Sequence, residues 1–304
     1  MDIVFHPGVN GSDPYVDFYP YTPSATAGYA FMAIFGISTL IHIVLMFPFR
    51  AAYFIPLVLG GICETFGYYG RAWSHESRTE ISSWALQELL ILCAPPLISA
   101  TIYMVLGRII RAFDAEHLSS MRTKRMTPLF VLNDILCFCT QLGGAGVQVT
   151  GSAQIMKIGE KVVLGGLIFS LVVFGIFVLL AVVFHRRLAA APTSLLILNP
   201  ELHWRRYMWV LYGACFAVSL RNLVRTIQFG APMGSALNTQ EAYIYVFDAF
   251  LMFAAMLALM VYHPGKLIKQ AVKMGAAMEF HQPLADETAD HVPLTEWEPV
   301  ALSK

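Results

Sequence analysis

Long apolar runs separated by short polar segments dominate the chain and are typical of a protein that crosses a membrane several times. A transmembrane helix needs about 20 predominantly apolar residues. The sequence predicts seven such spans, at 27–49, 52–72, 83–107, 127–150, 162–184, 206–229 and 241–262. The predicted fold class is therefore all-α, an integral membrane bundle of seven transmembrane helices that occupies residues 27–263.

The basic residues between the spans predict the orientation of the bundle. Cytoplasmic loops of membrane proteins carry an excess of lysine and arginine. One set of loops, with the tail, carries thirteen such residues, which are Arg50, Arg108, Arg111, Arg122, Lys124, Arg125, Arg186, Arg187, Arg205, Arg206, Lys266, Lys269 and Lys273. The opposite side carries four, which are Arg71, Arg78, Lys157 and Lys161. We therefore expect the N-terminus outside and the C-terminus in the cytosol.

The N-terminal tail, residues 1–26, is predicted to be extracellular. It is polar and acidic, and it has no basic segment followed by an apolar core, as a signal peptide would have. The first helix is therefore expected to act as its own insertion signal. Asn10 begins an Asn-Gly-Ser sequence that fits N-glycosylation. We expect the plasma membrane as the location, with an internal membrane as the alternative.

The C-terminal tail, residues 264–304, is predicted to be cytosolic. It begins with a Pro-Gly pair, which is expected to end the last span. Lysines then alternate with apolar residues, a pattern that predicts a short basic amphipathic helix on the inner leaflet. From about Gln282 the chain becomes acidic and contains proline, so we predict disorder there.

Polar residues within the predicted spans recur at a spacing of seven. An ionised side chain in a span costs at least ~2.5 kcal/mol and usually faces the bundle interior or a water-filled cavity. Residues seven apart are separated by two helical turns and lie on one face. The pairs are Glu64 and Arg71, Asp134 and Gln141, Arg221 and Gln228, and Glu241 and Asp248, and Arg225 and Glu88 accompany them.

We predict that these polar faces meet in a common interior that holds the head group of an amphiphile. Counting residues from the ends of the spans places Arg221 and Asp248 at a similar depth, where they can pair. The alternative is a salt-bridge network that fixes the helix register and binds nothing. The two interpretations are compatible with each other.

Composition agrees with a membrane location and excludes several other classes of protein. Hydrophobic residues make up 57% of the 304 positions and charged residues 13%, against about 25% charged residues in soluble domains. The formal net charge of zero provides no overall positive field to attract nucleic acid. All five cysteines fall in apolar runs, so we expect no disulfides. We predict no cofactor and no metal site, because His42 alone of nine histidines lies well inside a span.

Several motifs resemble those of the fungal RTA-like family, the aminocholesterol-resistance or lipid-translocating exporter proteins. The motifs are ETFGYYGR from Glu64, APP from Ala94, YMVLGR from Tyr103, DILCFCTQLGG from Asp134, RNLVR from Arg221, EAYIYVFD from Glu241 and HPG from His263. The resemblance covers roughly residues 26–273. It implies seven spans in a fungal membrane and a role in the export or translocation of lipids such as sphingoid long-chain bases. It also implies resistance to toxic amphiphiles and, in one branch, porphyrin transport.

One position departs from this family pattern. The family commonly has an acid three residues after the second arginine of the sixth span, and Gln228 stands there instead. Arg221 and Arg225 are therefore less neutralised within their own span. Pairing of an arginine with Asp248, or a more anionic ligand, would compensate.

Three classes of function follow from these features. The first is a transporter or a facilitator of lipid flipping, whose partners are membrane lipids or amphiphilic small molecules. The sequence has no phosphate-binding loop, so active transport would use an ion gradient or an ATPase partner, and a homo-oligomer is equally compatible. Glu64 and Asp134 are the candidates for proton coupling, and Arg221 and Arg225 for holding a phosphate or carboxylate. The second class is a seven-helix lipid receptor or sensor; an intramembrane enzyme is disfavoured, because no serine nucleophile motif is present.

Overall fold

The computed structural model describes most of the chain between residues 21 and 289. The described residues are 4–6, 15–17, 19, 21–76, 79–148, 153–231, 235 and 239–289. The predicted glycosylation site at Asn10 and the basic residue Arg78 lie outside them, and so do residues 290–304, which belong to the segment predicted to be disordered.

Long helices form the body of the protein, so the predicted helical architecture is confirmed. The helices are α1 (Ala25–Phe49), α2 (Ile55–Trp73), α3 (Ile81–Ala112), α4 (Thr123–Gln148), α5 (Ala153–Ala190), α6 (Ser194–Leu198), α7 (Trp204–Gly230), α8 (Ala242–Ile244), α9 (Phe250–Val261) and α10 (Pro264–Ala289). A π-helical segment, Tyr245–Ala249, joins α8 to α9. Turns of 3₁₀-helix cover Ala52–Phe54, Glu116–Leu118 and Pro200–Leu202.

Two short strands in the N-terminal tail were not expected from the sequence. The strand β1 (Val4–His6) pairs antiparallel with β2 (Tyr15–Asp17), and Phe5 lies opposite Val16. The two strands are three residues each, too short for an alternation of apolar and polar residues to be recognised in the sequence.

Six segments of the described chain are long and apolar enough to cross a membrane. They are 25–49, 81–112, 123–144, 161–190, 200–230 and 242–278. The helix α2 is not among them, since its 19 residues include Glu64 and Arg71. It nevertheless packs between α1 and α3, and both of these charged residues are buried there.

The surface of the bundle is rich in large apolar side chains that point away from the protein. Phe47 of α1 is 78% exposed, Leu179 of α5 65% and Phe216 of α7 67%. Exposure of such a surface to water would be unfavourable, whereas contact with lipid tails is not, because the tails are as apolar as these side chains. Apolar residues outside and ionisable residues inside identify a multi-pass membrane protein.

The long helices pack in a closed ring that follows the order of the chain. Contacts run from α1 to α2, α3, α4, α5, α7 and α9, and α9 returns to α1; α3 also touches α7 across the interior. The α2–α3 contact is particularly close, because a Cβ atom added at Gly60 would lie 3.1 Å from the carbonyl oxygen of Ala94. A larger residue at this position would require α3 to shift by a few tenths of an ångström, and small residues commonly allow such close helix packing in membranes.

A cluster of aromatic rings fixes α3 against α4 and α5. The ring of Tyr103 lies 4.5 Å from that of Phe177 and 5.3 Å from that of Phe130, and Phe174 completes the group. All four side chains are buried. Rigid aromatic packing of this kind makes α3 a firm support for the polar side chains on its other face.

The ends of the helices differ from the predicted spans where polar residues continue a helix beyond the membrane. The helix α1 begins at Ala25, two residues early, because the side-chain oxygen of Ser24 accepts the amide hydrogen of Ala27 at 3.3 Å and caps the helix. The helix α5 has 38 residues, whereas the prediction was 162–184. A prediction from runs of apolar residues identifies the part of a helix that lies in lipid and does not include its extensions into water.

In the C-terminal segment, where the sequence predicts a short helix and then disorder from about Gln282, the structure has one helix. The helix α10 has 26 residues and continues to Ala289. It packs against α3 and, more lightly, against α1, α6 and α7, with Leu267 and Ala271 fully buried. The bundle therefore covers Leu267 and Ala271, whereas Val272 is 57% exposed. The predicted break before Pro264 is present, between α9 and α10.

Candidate functional site

Arg71 forms an ion pair at the end of the bundle where α2 leads into α3. Its Nη2 atom lies 3.0 Å from Oε1 of Glu241, which directly precedes α8. Its Nε atom donates to the hydroxyl of Tyr245 at 3.0 Å, and Nη2 donates to that of Tyr21 at 2.9 Å. The arginine is only 1% exposed, so these oxygen acceptors replace the water that its charge has lost.

The end of the N-terminal tail lies directly over this ion pair. The hydroxyl of Tyr19 donates to Oε1 of Gln87 at 3.0 Å and lies 2.9 Å from Oγ of Ser74. The amide of Ser24 donates to Oε1 of Glu241 at 2.8 Å. Burial raises the pKa of Tyr19 to about 12, so its hydroxyl keeps its proton at neutral pH and remains a donor. Tyr19, Tyr21 and Ser24 therefore attach the end of the tail to this end of the bundle.

A second ion pair joins α7 to α3. Nη2 of Arg225 lies 2.6 Å from Oε1 of Glu88, and both side chains are buried. Gln228, one turn further along α7, is half-buried and shares with Arg225 the lining of a cavity of about 10 Å³. The pair fastens two helices that face each other across the interior.

The third ion pair joins α7 to the π-helical segment. Nε of Arg221 lies 2.5 Å from Oδ1 of Asp248. Nη2 of Arg221 donates to the carbonyl oxygen of Ile91 on α3 at 3.3 Å. In a regular helix that oxygen would accept from the residue four positions later, but this residue is Pro95, which has no amide hydrogen. The proline thus provides an acceptor for the buried arginine.

Glu64 lies beside this third pair and has no donor of its own. It is fully buried, and neither of its carboxyl oxygens accepts a hydrogen bond from any residue that the structure describes. Arg221 and Asp248 are its charged neighbours. An ionised carboxylate without a donor is costly to bury, whereas the protonated acid costs far less. Glu64 is therefore the buried acid of this group for which the described residues provide neither an ion-pair partner nor a hydrogen-bond donor.

Asp134 and Gln141 of α4 line a small cavity in the interior. The cavity has a volume of about 20 Å³, and Arg221 and Asn222 of α7 form its opposite wall. One water molecule needs about 10–15 Å³, so this cavity and the one beside Arg225 each have the size of a single water. Neither of these two cavities is large enough for the predicted head group.

The structure brings the ten predicted polar residues into the interior of the bundle. Eight are buried, and Gln228 and Glu241 are half-buried. Each of the three arginines pairs with an acid from a different element, as Arg221 was predicted to do with Asp248. Five acids meet three bases, so Glu64 and Asp134 are the two without an ion-pair partner among the described residues.

Several residues of the site were not predicted, and all but one of them are tyrosines. They are Tyr19, Tyr21, Tyr68, Gln87 and Tyr245. Two carried a signal in their spacing: Tyr245 lies four residues after Glu241, and Tyr68 lies four after Glu64, each on the same helical face. The tail tyrosines carried none, since no periodic pattern extends into the tail.

The polar groups of this site form ion pairs and hydrogen bonds. No group of three or more histidine, cysteine or acidic side chains in the described chain has the geometry to hold a metal ion. Its donors are guanidinium groups and its acceptors are carboxylates, hydroxyls and one freed carbonyl oxygen. Such groups can exchange partners with a charged head group without any covalent step.

The fold and the site together define a polytopic helical membrane protein with a buried ionic interior. Comparison with known sequences gives the family. The family model described as "RTA1 like protein" matches residues 57–271. The chain therefore belongs to the RTA1-like family, as its motifs indicated.

Named fungal relatives resemble this chain over most of its length. Protein RTM1 of Saccharomyces cerevisiae is 31% identical over 68% of this chain and 66% of its own length, just under two thirds. Protoporphyrin uptake protein 1 of the same yeast is 27% identical over 80% of this chain and 90% of its own. The probable lipid transporter atnI of Emericella nidulans is 26% identical over 82% and 67%, respectively. No solved structure matches the chain.

Proposed function

We propose that this protein translocates or exports amphiphilic, lipid-like molecules across a membrane through the polar interior of the bundle. The observation that carries the proposal is the set of three buried arginine–acid pairs, each of which joins two different elements. Ionisable side chains within membrane helices commonly mark the path of a substrate. The names of the relatives atnI and protoporphyrin uptake protein 1 support transport rather than catalysis.

In this proposal the ion pairs open by exchange with the substrate. The two cavities beside Arg221 and Arg225 are water-sized, so a head group reaches these arginines by separating an ion pair. A phosphate or carboxylate on the substrate replaces the acid at Arg225, which leaves the arginine compensated throughout. Arg221 lies one turn away, about 6 Å along α7. The head group then passes from one arginine to the other along a single helix.

Energy coupling is proposed to involve protons at Glu64 and Asp134. Both acids are buried and lack an ion-pair partner among the described residues. Protonation of Glu64 changes the field at the adjacent Arg221–Asp248 pair, which would alter how readily that pair opens. Alternatively, an ATPase partner would supply the energy, and a homo-oligomer would complete the path.

The proposed topology has seven spans, with α2 as the seventh. This helix lies within the ring between α1 and α3, and its two charged residues are buried inside the bundle, away from lipid. The excess of lysine and arginine places the N-terminus outside and the C-terminus in the cytosol, with the plasma membrane as the proposed location. Glycosylation at Asn10 tests the orientation: a glycosidase should shift the mobility of the wild type and leave Asn10→Gln unchanged.

The substrate is proposed to be a sphingoid base, a phospholipid or a toxic sterol-like compound. Gln228, in place of an acid, leaves one negative charge fewer next to Arg225, and this favours substrates with an anionic group. Flipping of fluorescent long-chain bases and phospholipids in proteoliposomes tests the proposal. Flipping faster than in empty liposomes for at least one lipid is expected; equality for every lipid would reject translocation.

A lipid receptor or sensor is the second candidate. The water-sized cavities favour it, since a sensor needs to bind an amphiphile without providing a continuous path. A lipid that raises the melting temperature of the purified protein but is not flipped would support this function over transport.

A further inference from the structure

A further cavity lies at the opposite end of the bundle from the Arg71 ion pair. The helices α1 and α9 end there, and α7 begins there. Its volume is about 410 Å³, far larger than the interior cavities. The polar part of its lining includes Arg206, near the start of α7, and Lys266, in the first turn of α10. On the proposed topology this end faces the cytosol. We call it the basic cavity.

The charges in the basic cavity favour an anion. Two cations, Arg206 and Lys266, meet one carboxylate, that of Glu201. The remaining polar lining side chains are His203, Tyr207, Tyr262, His263 and Gln270. Lys266 also lies at the N-terminal end of the 26-residue α10, where the helix dipole adds a partial positive charge. A guanidinium and an ammonium group on two different helices can grip a phosphate from two sides.

Stacked aromatic rings hold the turn that carries Lys266 at the wall of the basic cavity. The ring of His263 stacks between those of Phe49, at 4.9 Å, and Phe54, at 4.3 Å. Nδ1 of His263 accepts the amide hydrogen of Gly265 at 3.1 Å, which fixes the turn from which Lys266 projects. A site held in this way is preorganised, so a ligand need not order it on binding.

The apolar side of the cavity continues towards the lipid-facing surface. Val261, at the end of α9, lines the cavity and is 65% exposed, and Tyr262 beside it is 44% exposed. A soluble anion would gain nothing from these side chains. A phospholipid would place its phosphate at Arg206 and Lys266 and its acyl chains along the exposed side of α9.

We infer that the basic cavity binds the head group of an anionic phospholipid of the cytosolic leaflet. This site is separate from the ionic interior and does not depend on whether the protein transports lipid; only the assignment of the leaflet rests on the proposed topology.

Native mass spectrometry of the full chain in neutral detergent tests this site. The protein is equilibrated with phosphatidylserine or with phosphatidylcholine of the same acyl chains, and the lipid retained per protein is counted. The wild type should retain phosphatidylserine preferentially. Arg206→Gln with Lys266→Gln should weaken this retention about 30-fold, because each cation contributes about a factor of five. Arg205→Gln with Lys273→Gln, a change of equal charge at exposed residues outside the cavity, should retain wild-type binding.

A second variant strengthens binding, so a folding defect cannot imitate its effect. Glu201→Gln removes the opposing carboxylate and should increase phosphatidylserine retention about fivefold. Equal losses in the two double variants would overturn the inference in favour of a diffuse basic surface. Equal retention of the two lipids would also overturn it. Displacement by inorganic phosphate, but not by chloride of the same ionic strength, would reassign the cavity to a soluble anion.

Discussion

The guanidinium of Arg221 donates to the carbonyl oxygen of Ile91 at 3.3 Å, and this oxygen is free because Pro95, four residues later, has no amide hydrogen. The same guanidinium pairs with Asp248 in the π-helical segment. A proline within one helix and a π-helical segment therefore face each other across one buried arginine. π-Helical segments are frequent at functional sites, and membrane helices tolerate a proline where another group satisfies the freed carbonyl.

Replacing Asp248 by asparagine should destabilise the protein strongly. The substitution keeps the size of the side chain but leaves the buried charge of Arg221 without a counter-ion. Loss of one partner of a buried pair typically costs about 3–5 kcal/mol, so the melting temperature in detergent should fall markedly. A melting temperature equal to that of the wild type would mean that the Arg221–Asp248 pair does not contribute to stability in this way.

Replacing both members of the same pair by apolar residues separates a structural role from a functional one. Arg221→Met with Asp248→Leu removes both charges, and such exchanges are often neutral or stabilising by about 1–4 kcal/mol. We therefore expect the double variant to melt at or above the wild-type temperature and to lose lipid flipping. If it melts normally and still flips lipid, the pair is a structural element that fixes the helix register, as the alternative interpretation of the sequence held.

Glu64→Gln should leave the stability within about 1 kcal/mol of the wild type, because the Glu64 oxygens accept no hydrogen bond from the described residues. If Glu64 takes up a proton during transport, the flipping rate of the wild type should change when a pH gradient is imposed across the liposome membrane. The variant should not respond to the gradient. The same response in both proteins would exclude Glu64 as the coupling group and leave Asp134 to be tested.

Tyr21→Phe should loosen the N-terminal tail from the bundle. The substitution removes one hydroxyl that accepts from Arg71 at 2.9 Å, and a hydrogen bond to a charged group contributes about 1.5–3 kcal/mol. Hydrogen exchange of residues 21–27 should accelerate in the variant. Tyr29→Phe, at a position 49% exposed on α1, is the matched control and should exchange like the wild type; equal exchange in all three proteins would show that the tail is held elsewhere.

Much of the candidate site could be predicted from the sequence, because charge within an apolar run is costly and turns inward. The spacing of seven placed Glu64 and Arg71 on one face, and both are buried. The partners could not be predicted in the same way. Residues seven apart lie about 10 Å apart along one helix, so Arg71 reaches Glu241 on another element instead of Glu64. The similar depth of Arg221 and Asp248 in the membrane predicted one ion pair correctly.

The rest of the fold depended on contacts that leave no periodic signal. Tyr21 meets Arg71 fifty residues later in the chain, and nothing in the tail marks the tyrosine for that contact. The helix α10 was predicted to lie on a membrane because its lysines alternate with apolar residues. An apolar helical face looks the same in the sequence whether lipid or protein covers it, and here Leu267 and Ala271 are covered by the bundle.

We propose that the ionic interior lies on the translocation path. Lipid flipping by the Arg225→Ala variant in proteoliposomes tests this proposal. Arg187→Ala, at an exposed position on α5, is the matched control, and thermal melting confirms that both variants are folded. We expect Arg225→Ala to lose flipping and the control to retain it. If a folded Arg225→Ala protein flips lipid at the wild-type rate, the ionic interior does not lie on the path.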